Sequence, residues 1–345
     1  MSEYLGYVGW VRFSEGGDTF YVRATDADLH AAQTIDKPDV VDGKMDKTVW
    51  QLGPLEVEGS VNFPGVYEVM GNASPVRTTW EWAIKRQTNG RMYHDDALVT
   101  IKYVDGTGFE YTGCGIDSYE FSITQGDALA ISLNIVGKDR VEQVGDPVSD
   151  SWNPKYEQKN TRIITWNDIY VNILLCESSD AIVDSAEIRE FTCTVANNIT
   201  RYYTLNGKLA PCLVLPTKRD ITGVLTLMGR NDSLADLAYQ SAINNTDNRA
   251  RCTGDHTVEF GYKTSNLSPA CYGGSCGSNF IVQFDNCCVF EIEEMSITNE
   301  LFETNVNWHA LPGVPFFSDT DDYDTTFLAD DYTTTPCQGG ICDDV

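Results

Sequence analysis

The sequence predicts a mainly β protein, built from two tandem β-sandwich or partial-barrel domains that each carry one short flanking α-helix. Short stretches alternate apolar and polar residues, and Gly- or Asp-containing turns separate them, which is typical of antiparallel strands. One strand also occurs twice: "CGIDSYEFSIT" begins at Cys114, and "CVFEIEEMSIT" begins at Cys288, about half of the 345-residue chain later. This length exceeds what one core usually supports, which favours two domains.

Tight turns separate the predicted strands of the first half. Strands at 9–13 and 19–25 flank Gly16-Gly17, and the stretch 97–113 gives two strands around Asp105-Gly106. Gly-Gly and Asp-Gly pairs favour the two-residue turns of β-hairpins because these residues tolerate positive φ. Two further strands, which alternate apolar and polar residues, are predicted at 53–65 and 128–137.

One helix interrupts these strands. The segment "TTWEWAIKRQ" places one face at helical spacing, made of Trp80, Ala83, Ile84 and Gln87. Thr78 and Glu81 fit a capping box, and Glu81 with Lys85 forms a favourable i,i+4 pair. The pattern predicts a short helix that begins near Thr78.

The second half repeats this order of elements. Its helix is predicted at 233–243, where Ser233 and Asp236 form a capping box. Asn197-Asn198 separates the first two strands. The predicted strands lie at 189–198, 201–207, 220–232, 256–263, 279–298 and 301–313.

Aligning the halves supports a duplication. The aligned pairs are Gly59 with Gly223, Tyr103 with Tyr262, Cys114 with Cys288, Asp117 with Glu291, and Glu120 with Glu294. A polar, Pro-containing stretch between the halves reads as a linker, and the Asp-rich C-terminal segment as a partly disordered or surface-draping extension. The predicted organisation is a first domain at 1–140, the linker at 141–161, a second domain at 162–313 with a Cys-rich loop at 265–279, and the extension at 314–345.

The chain is strongly acidic, with 24 Lys and Arg against 51 Asp and Glu and a net charge of −27. A nucleic-acid-binding surface needs a basic patch, and the sequence shows none. No run of about 18 apolar residues predicts a membrane span, and the N-terminus does not resemble a signal peptide. The acidity indicates either a well-solvated surface or a surface that repels an anion.

The sequence carries none of the common catalytic motifs. The histidines show no metal-binding or catalytic spacing, and no GxSxG, P-loop or GxGxxG pattern is present; they are His30, His94, His256 and His309. With 51 acidic residues, any pair of carboxylates is uninformative as a candidate for hydrolysis. We therefore expect a protein that is not an enzyme and holds no cofactor.

Two cysteine pairs share a Cys-x4-Cys spacing around a central Gly-Gly, Cys271 with Cys276 and Cys337 with Cys342. Two such turns are candidates for a four-cysteine zinc site, because glycines let both sulfurs of a pair face one point. Local disulfides and reduced thiols are the alternatives. An odd total of eleven cysteines without a secretion signal argues against a full disulfide framework.

The opening of the chain resembles the N-terminal part of bacteriophage tail tube proteins. The stretches "YVRATDADL" and "IDKPDVVDGKMDKTVWQLGPLEVEGSVNFP" carry this resemblance, and the strand–helix–strand order after them fits it. The second half, from "EIREFTCTVANNITRYYTLNG" to "PTKRDITGVLTLMGR", resembles the family more generally. The resemblance covers about 4–140 and 162–313, and the Cys-rich loop and the Asp-rich extension are not family features.

The resemblance implies a structural virion protein, the major subunit of the tail tube. Subunits of this family resemble β-sandwiches whose sheets join edge to edge into rings, and the rings stack into a hollow tube. Two tandem copies imply a homotrimeric, pseudo-hexameric ring. The implied partners are further copies of the chain, the tape measure protein, and the tail terminator and tip proteins, with no membrane.

The resemblance also implies the location and the passenger of the tube. Double-stranded DNA passes through an acidic lumen during ejection, without specific binding. The protein is made in the host cytoplasm and ends in the viral tail. A ring of fused domains favours a long non-contractile tail of the siphovirus type.

Lumen-facing acids are expected on the matched barrel strands of the two halves. The candidates are Asp117, Glu120, Asp127, Glu291, Glu293 and Glu303. For each of them an ordinary outer-surface carboxylate is the alternative. DNA carries one charge per about 1.7 Å of axis, so a basic lining would bind it and stall its passage.

A binding module is the alternative function. A tandem β-sandwich carbohydrate-binding or adhesion protein on a virion would stack sugars on aromatic side chains, for which the candidates are Trp80, Trp82, Trp152 and Trp166. Trp80 and Trp82 also fit simple packing of the predicted helix.

Overall fold

The computed structural model of the protein describes sixteen stretches of the chain. Several predictions concern residues outside them: the helix at 233–243, the Cys-rich loop at 265–279, most of the linker, and the extension beyond 318. The described stretches are 8–15, 18–22, 24–36, 51–66, 75–84, 97–103, 108–142, 163–175, 181–183, 188–205, 208–228, 256–262, 280–292, 296–297, 302–310 and 316–318.

Most described residues lie in antiparallel strands, which confirms the mainly β prediction. The elements of the first half, which we name the first unit, are β1 (Val8–Glu15), β2 (Asp18–Val22), β3 (Asp26–Asp36), β4 (Gln51–Pro64), α1 (Pro75–Ile84), β5 (Leu98–Tyr103), β6 (Gly108–Thr112), β7 (Gly115–Thr124), β8 (Ala130–Gly137) and β9 (Asp139–Glu142).

A single 3-10 turn at Trp166–Asp168 leads into the second half. Its strands, which we name the second unit, are β10 (Ile169–Leu175), β11 (Ala181–Val183), β12 (Ile188–Ala196), β13 (Ile199–Tyr202), β14 (Leu213–Pro216), β15 (Asp220–Met228), β16 (His256–Tyr262), β17 (Phe280–Ile292), β18 (Ser296–Ile297), β19 (Phe302–Ala310) and β20 (Phe316–Ser318).

The two units pair their strands in the same order. In the first unit, one sheet runs β2-β1-β5-β6-β9 and the other runs β3-β4-β8-β7. In the second unit, the corresponding orders are β11-β10-β16-β17-β20 and β12-β15-β19-β17. Strand β17 serves both sheets, because residues 280–287 pair with β16 and residues 287–292 pair with β19. We name the sheets of the first order outer and those of the second order inner.

A direct pairing of β7 with β12 joins the two inner sheets into one continuous sheet of eight strands. Buried and half-buried residues alternate along the strands of this sheet. In β7, Tyr119, Phe121 and Ile123 are buried, while the residues between them are only half-buried. One face therefore packs into the core and the other carries polar side chains.

Helix α1 begins earlier than predicted. Its first residue is Pro75, a favoured first helical position because proline lacks the N–H that would stay unpaired there. Thr78 consequently lies inside the helix, so the capping box at Thr78 is wrong. The buried face includes Trp80 and Ala83 as predicted, and Trp82 is buried as well because its ring packs edge-on against Phe13 at 5.2 Å.

Other boundaries also differ from the sequence predictions. Residues 141–142 belong to β9 rather than to the linker, and 316–318 form β20, which pairs with β17, rather than part of an unstructured extension. Strands β12 and β13, on either side of Asn197-Asn198, do not pair with each other. Strand β13 instead pairs with β14 in a separate two-stranded hairpin, residues 199–216, which we name the arm.

One continuous core runs through both units. Its largest fully buried side chains include Trp80 and Tyr119 from the first unit and Phe191, Phe260 and Trp308 from the second. Tyr111 of the first outer sheet donates a hydrogen bond to the Leu29 carbonyl of the inner sheet, which ties the two layers together. No helix in the described ranges is long and apolar enough to cross a membrane.

Candidate assembly joint and polar sheet face

The pairing of β7 with β12, which we name the internal joint, is a seven-residue antiparallel ladder. It runs from Ser118 opposite Ala196 to Thr124 opposite Glu190. Tyr119, Phe121 and Ile123 face the core together with their partners Val195, Cys193 and Phe191. Strand β7 is the edge strand of the first unit's inner sheet, and β12 is the edge strand of the second unit's inner sheet. The ladder therefore shows that these two kinds of edge can pair with each other.

Aromatic side chains continue across the internal joint beneath the backbone ladder. Phe121 lies 5.1 Å from Trp80 of α1 and 5.0 Å from Phe260 of β16, measured between ring centroids. Phe260 in turn stacks on Phe191 at 5.1 Å, and Trp80 meets Phe284 edge-on at 5.9 Å. The first unit therefore buries its helix partly against the second unit, and the two units share one core at this point.

A buried asparagine locks the end of the internal joint. The Asn197 side-chain amide donates to the carbonyls of Ala83, at 2.9 Å, and Ile116, at 2.8 Å. Its backbone N–H donates to the Asp117 carbonyl at 2.6 Å. Asn197 thereby joins the chain after β12 to the C-terminal end of α1 and to the start of β7.

Arg219, which also belongs to the second unit, adds hydrogen bonds to those of Asn197, and we name these two residues with their partners the polar lock. Its Nε donates to the Asn197 Oδ1 at 3.0 Å, and its Nη2 donates to the Ile84 carbonyl at 3.2 Å. A cation at the C-terminal end of a helix also interacts favourably with the helix dipole. The sequence analysis missed both residues; only the Asn-Asn pair after an alternating strand marked the position as unusual.

Replacing Asn197 with alanine is expected to lower the free energy of unfolding by about 2–4 kcal/mol, because buried carbonyls and the Arg219 guanidinium lose their partner. Chemical denaturation measures this change. The matched control is Asn198→Gly: Asn198 has a φ of 50°, which glycine adopts freely, and its amide donates only to the exposed Lys218 carbonyl and Asp220 carboxylate, which water can satisfy, so a change below about 1 kcal/mol is expected. Equal losses in both variants would contradict the role of Asn197.

The arm of the second unit lies against the first unit. Arg201 donates from Nη2 to the Val57 carbonyl at 2.8 Å and pairs with the Glu58 carboxylate at 3.0 Å. The Tyr203 hydroxyl donates to the Leu55 carbonyl at 3.1 Å, and the Leu55 N–H donates to the Leu209 carbonyl at 2.9 Å. The arm therefore contacts β4 through hydrogen bonds and an ion pair. This contact attaches the second unit to the first unit at a second place beside the internal joint.

The polar face of the inner sheet brings three of the six predicted lumen acids together. Strand register places Glu120 in one row with Thr194, Thr222 and His309, and Glu291 in the next row opposite Asn307. Glu303 pairs with Met228 further along the same face. We define the polar face by the alternate positions of the eight inner strands that include Glu58, Glu120, Glu190, Glu291 and Glu303.

The other three candidates differ. Asp117 occupies a β-bulge of β7, and its carboxylate accepts a 2.6 Å hydrogen bond from the Ile199 N–H, so it has a local structural task. Asp127 is exposed in the turn between β7 and β8, outside the ladder. Glu293 lies outside the described residues. The assignment of all six to a lumen stays a prediction.

The inner strands hold far more acids than bases. The strands β3, β4, β7, β8, β12, β15 and β19, together with residues 287–292 of β17, contain eleven Asp or Glu residues and a single Arg, Arg189, which occupies a bulge at the start of β12. Carboxylates along one face with few cations give a negative potential, which repels phosphate.

Strand register corrects the alignment of the repeated strand by one residue at its cysteine end. Gly59 pairs with Ile135 and Gly223 pairs with Trp308, so Ile135 corresponds to Trp308. The bulges then correspond as well: Asp117 matches Phe290, and Ser118 matches Glu291. Glu291 is therefore not the counterpart of Asp117.

Cys114 is a core residue. It is fully buried just before β7, and burial raises the pKa of its thiol to about 12, so it stays protonated at neutral pH. By register its counterpart is Cys287 rather than Cys288, since Gly115 pairs with Val136 and Cys288 pairs with His309. The four zinc candidates, Cys271, Cys276, Cys337 and Cys342, lie outside the described residues, and the described part contains no metal-ligand cluster.

Three of the four candidate tryptophans lie in the part of the chain that the structure describes, and these three do not suit sugar stacking. Trp80 and Trp82 are 0% and 4% exposed, and Trp166 is half-buried against the core. Trp152 lies outside the described residues. The aromatic side chains that suggested a carbohydrate-binding module are therefore, where they are described, packing residues.

Comparison with known proteins gives one family match. No curated protein matched the sequence. A family model described as phage tail tube protein matches residues 14–268, which begin in β1 and end beyond β16, so that the match includes the internal joint. This match spans well over half of the chain, and the chain belongs to the phage tail tube protein family.

Proposed function

We propose that this chain is the major subunit of a tail tube and that two tandem tube domains, at about 1–140 and 162–313, close a ring by repeating the internal joint between chains. The observation that carries the proposal is the pairing of β7 with β12. These strands are opposite edges of equivalent four-stranded sheets, so the contact is head-to-tail. A head-to-tail contact makes a closed ring when its rotation closes.

The width of the ring favours three chains. Each chain supplies eight inner strands. With strands about 4.8 Å apart and tilted by about 40°, three chains close at a backbone diameter of roughly 48 Å and two chains at roughly 32 Å. Side chains take about 5 Å from each wall, half of the usual sheet spacing. The remaining channel is about 38 Å wide for three chains and about 22 Å for two.

Only the wider channel leaves room for hydrated DNA. A B-form duplex is about 20 Å across, so the channel of two chains would leave almost no space for water and counterions. A homotrimer gives a pseudo-hexameric ring with a gap of several ångströms around the duplex. The polar face then forms the lumen, and its carboxylates repel the phosphates as the genome is ejected.

Membership of the phage tail tube protein family supports a location in the virion tail and a structural rather than a catalytic role, and we propose both. We propose that it is made in the host cytoplasm and stacks as rings in a long, non-contractile tail of the siphovirus type. Its further proposed partners in that tail are the tape measure protein and the terminator and tip proteins.

Electron microscopy of the purified full-length protein tests this proposal. Tubes or rings with threefold symmetry, six similar lobes and an open channel of about 40 Å are expected. Monomers that never assemble, even at high concentration, would overturn the tube function. If such monomers bound glycans on an array, the alternative of a carbohydrate-binding or adhesion module would replace it.

A further inference from the structure

Two strand edges of the inner sheet have no strand beside them in the described part of the chain. Strand β3 pairs only with β4, although its counterpart β12 pairs with both β15 and β7. Residues 288–292 of β17 pair only with β19, although their counterpart β7 pairs with both β8 and β12. The edge of β3 and this edge of β17 are thus the counterparts of the two edges that meet in the internal joint, β12 and β7.

The residues of the open edges can be matched to the internal joint through common partners. Leu29 and Cys193 correspond, since they pair with Gly59 and Gly223. Ser118 and Glu291 correspond through the shared bulge. Ser122 and Ser296 correspond, because Ser122 pairs with Ala130 and Ser296 pairs with Glu303, which occupies the position of Ala130 in the second unit.

We infer that β3 of one chain pairs antiparallel with β17 and β18 of the next chain in the register of the internal joint. The inference rests on the proposed ring. When the register of the internal joint is applied to the corresponding residues of the open edges, four pairs of described residues lie opposite each other between chains. They are Ala32 with Glu291, Ala31 with Ile292, Asp28 with Ser296, and Ala27 with Ile297. The partner of this surface is a second copy of the chain.

The side chains of β3 suit this pairing. Ala27 and Leu29 are already buried at 8% and 4% exposure and point to the core, like their counterparts Phe191 and Cys193 at the internal joint. Asp28 is exposed on the polar face, as is Asp26 two residues before it. The alternation therefore continues the core on one side of the inter-chain ladder and the acidic face on the other.

The inter-chain joint lacks the polar lock of the internal joint. Gln33 and Leu55 occupy the positions of Asn197 and Arg219, and Phe290 occupies that of Asp117. The Gln33 amide donates to the Gly53 carbonyl of its own hairpin at 3.0 Å. Backbone pairing and apolar contact consequently hold chains together, and we expect rings to separate into chains before the units within a chain separate.

Cysteine cross-linking tests the register in the full-length protein. Asp28→Cys with Ser296→Cys is expected to form a disulfide between chains on mild oxidation, giving dimers and trimers on non-reducing gels and no larger species. The matched control is Ser122→Cys with Thr192→Cys, the same pair at the internal joint, which is expected to cross-link within one chain and stay monomeric. Ala27→Cys with Ser296→Cys, shifted by one residue, is expected to give no cross-link.

Oxidised wild-type protein and peptide mass spectrometry separate these products from those of native cysteines. If the first variant fails to fold, Ala32→Cys with Glu291→Cys probes the same ladder, with Ser118→Cys and Ala196→Cys as its control. Rings seen by electron microscopy without a cross-link at either pair, or with one at the shifted pair, would overturn the register and leave the tube function standing. Absence of rings together with absence of cross-links would overturn both.

Discussion

Replacing Gly59 with alanine is expected to leave no stably folded protein. Gly59 lies in the middle of β4 with a φ of +156°, and a Cβ atom there would lie 1.8 Å from the Asp28 carbonyl oxygen and 2.6 Å from the Leu29 Cα. Both atoms belong to the backbone of β3, so no side-chain movement relieves the overlap. Only separation of β3 from β4 does, and we expect a loss of more than about 4 kcal/mol in the free energy of unfolding.

A matched control separates this overlap from backbone strain. Gly126 also has a positive φ, +92°, but a Cβ atom there would have nothing within 4 Å. Gly126→Ala should therefore cost only about 1–2 kcal/mol, the penalty of the left-handed region. Urea denaturation and soluble yield compare the two variants. If Gly59→Ala were no less stable than Gly126→Ala, the close approach of β3 to β4 would be wrong.

Placing two lysines on the polar face is expected to block genome delivery without blocking assembly. The double substitution Glu120→Lys with Glu291→Lys replaces two negative charges of each chain by two positive ones, on positions that the register puts one row apart. Lysines in the lumen would bind passing phosphates, and each phosphate contact strengthens binding most at low salt. We expect phage titre to fall by at least about a hundredfold while particles keep normal tails, since several lysine–phosphate contacts together change the affinity for DNA by orders of magnitude.

The control makes the same charge change on the outer sheet. Asp139→Lys with Glu142→Lys alters two positions of β9, which pairs with β6 on the other layer. Titre and DNA release triggered in vitro are measured for both variants, with electron micrographs of the particles. A normal titre for the polar-face variant, or an equal fall for the control, would contradict a lumen at the polar face.

Sequence patterns predicted the strands well where alternation was complete. The hairpins at Gly16-Gly17 and Asp105-Gly106 are confirmed, as β1 pairs with β2 and β5 pairs with β6. The helix was predicted with its start three residues late, because a Thr and a Glu at capping-box spacing also occur inside a helix. Short strands such as β9 and β20 contain too few residues to show alternation. The predicted domain ends at 140 and 313 therefore lie inside β9 and just before β20.

The internal joint could not be predicted from the sequence, for a physical reason. Alternation shows which residues of a strand share a face, but it does not show which strands pair. Because many residues separate β7 from β12, no local sequence pattern predicts that their edges pair. A bulge also moves every later residue by one position, so that Glu291 aligned with Asp117 by sequence and with Ser118 by register. Asn197-Asn198 was interpreted as a separator between two strands, because asparagine is usually a turn residue, and the buried contacts of Asn197 leave no pattern in the sequence.

The bulge shared by β7 and β17 has a consequence for curvature. An extra residue on one strand increases the local twist and bends the strand, which is how flat sheets are turned into closed barrels. This chain repeats this particular bulge once in each set of four inner strands, at Asp117 and at Phe290, and β3 and β12 carry further bulges of their own. A ring of three chains would then curl in six equal steps, and the wall radius would follow from the spacing of these bends rather than from any contact with DNA.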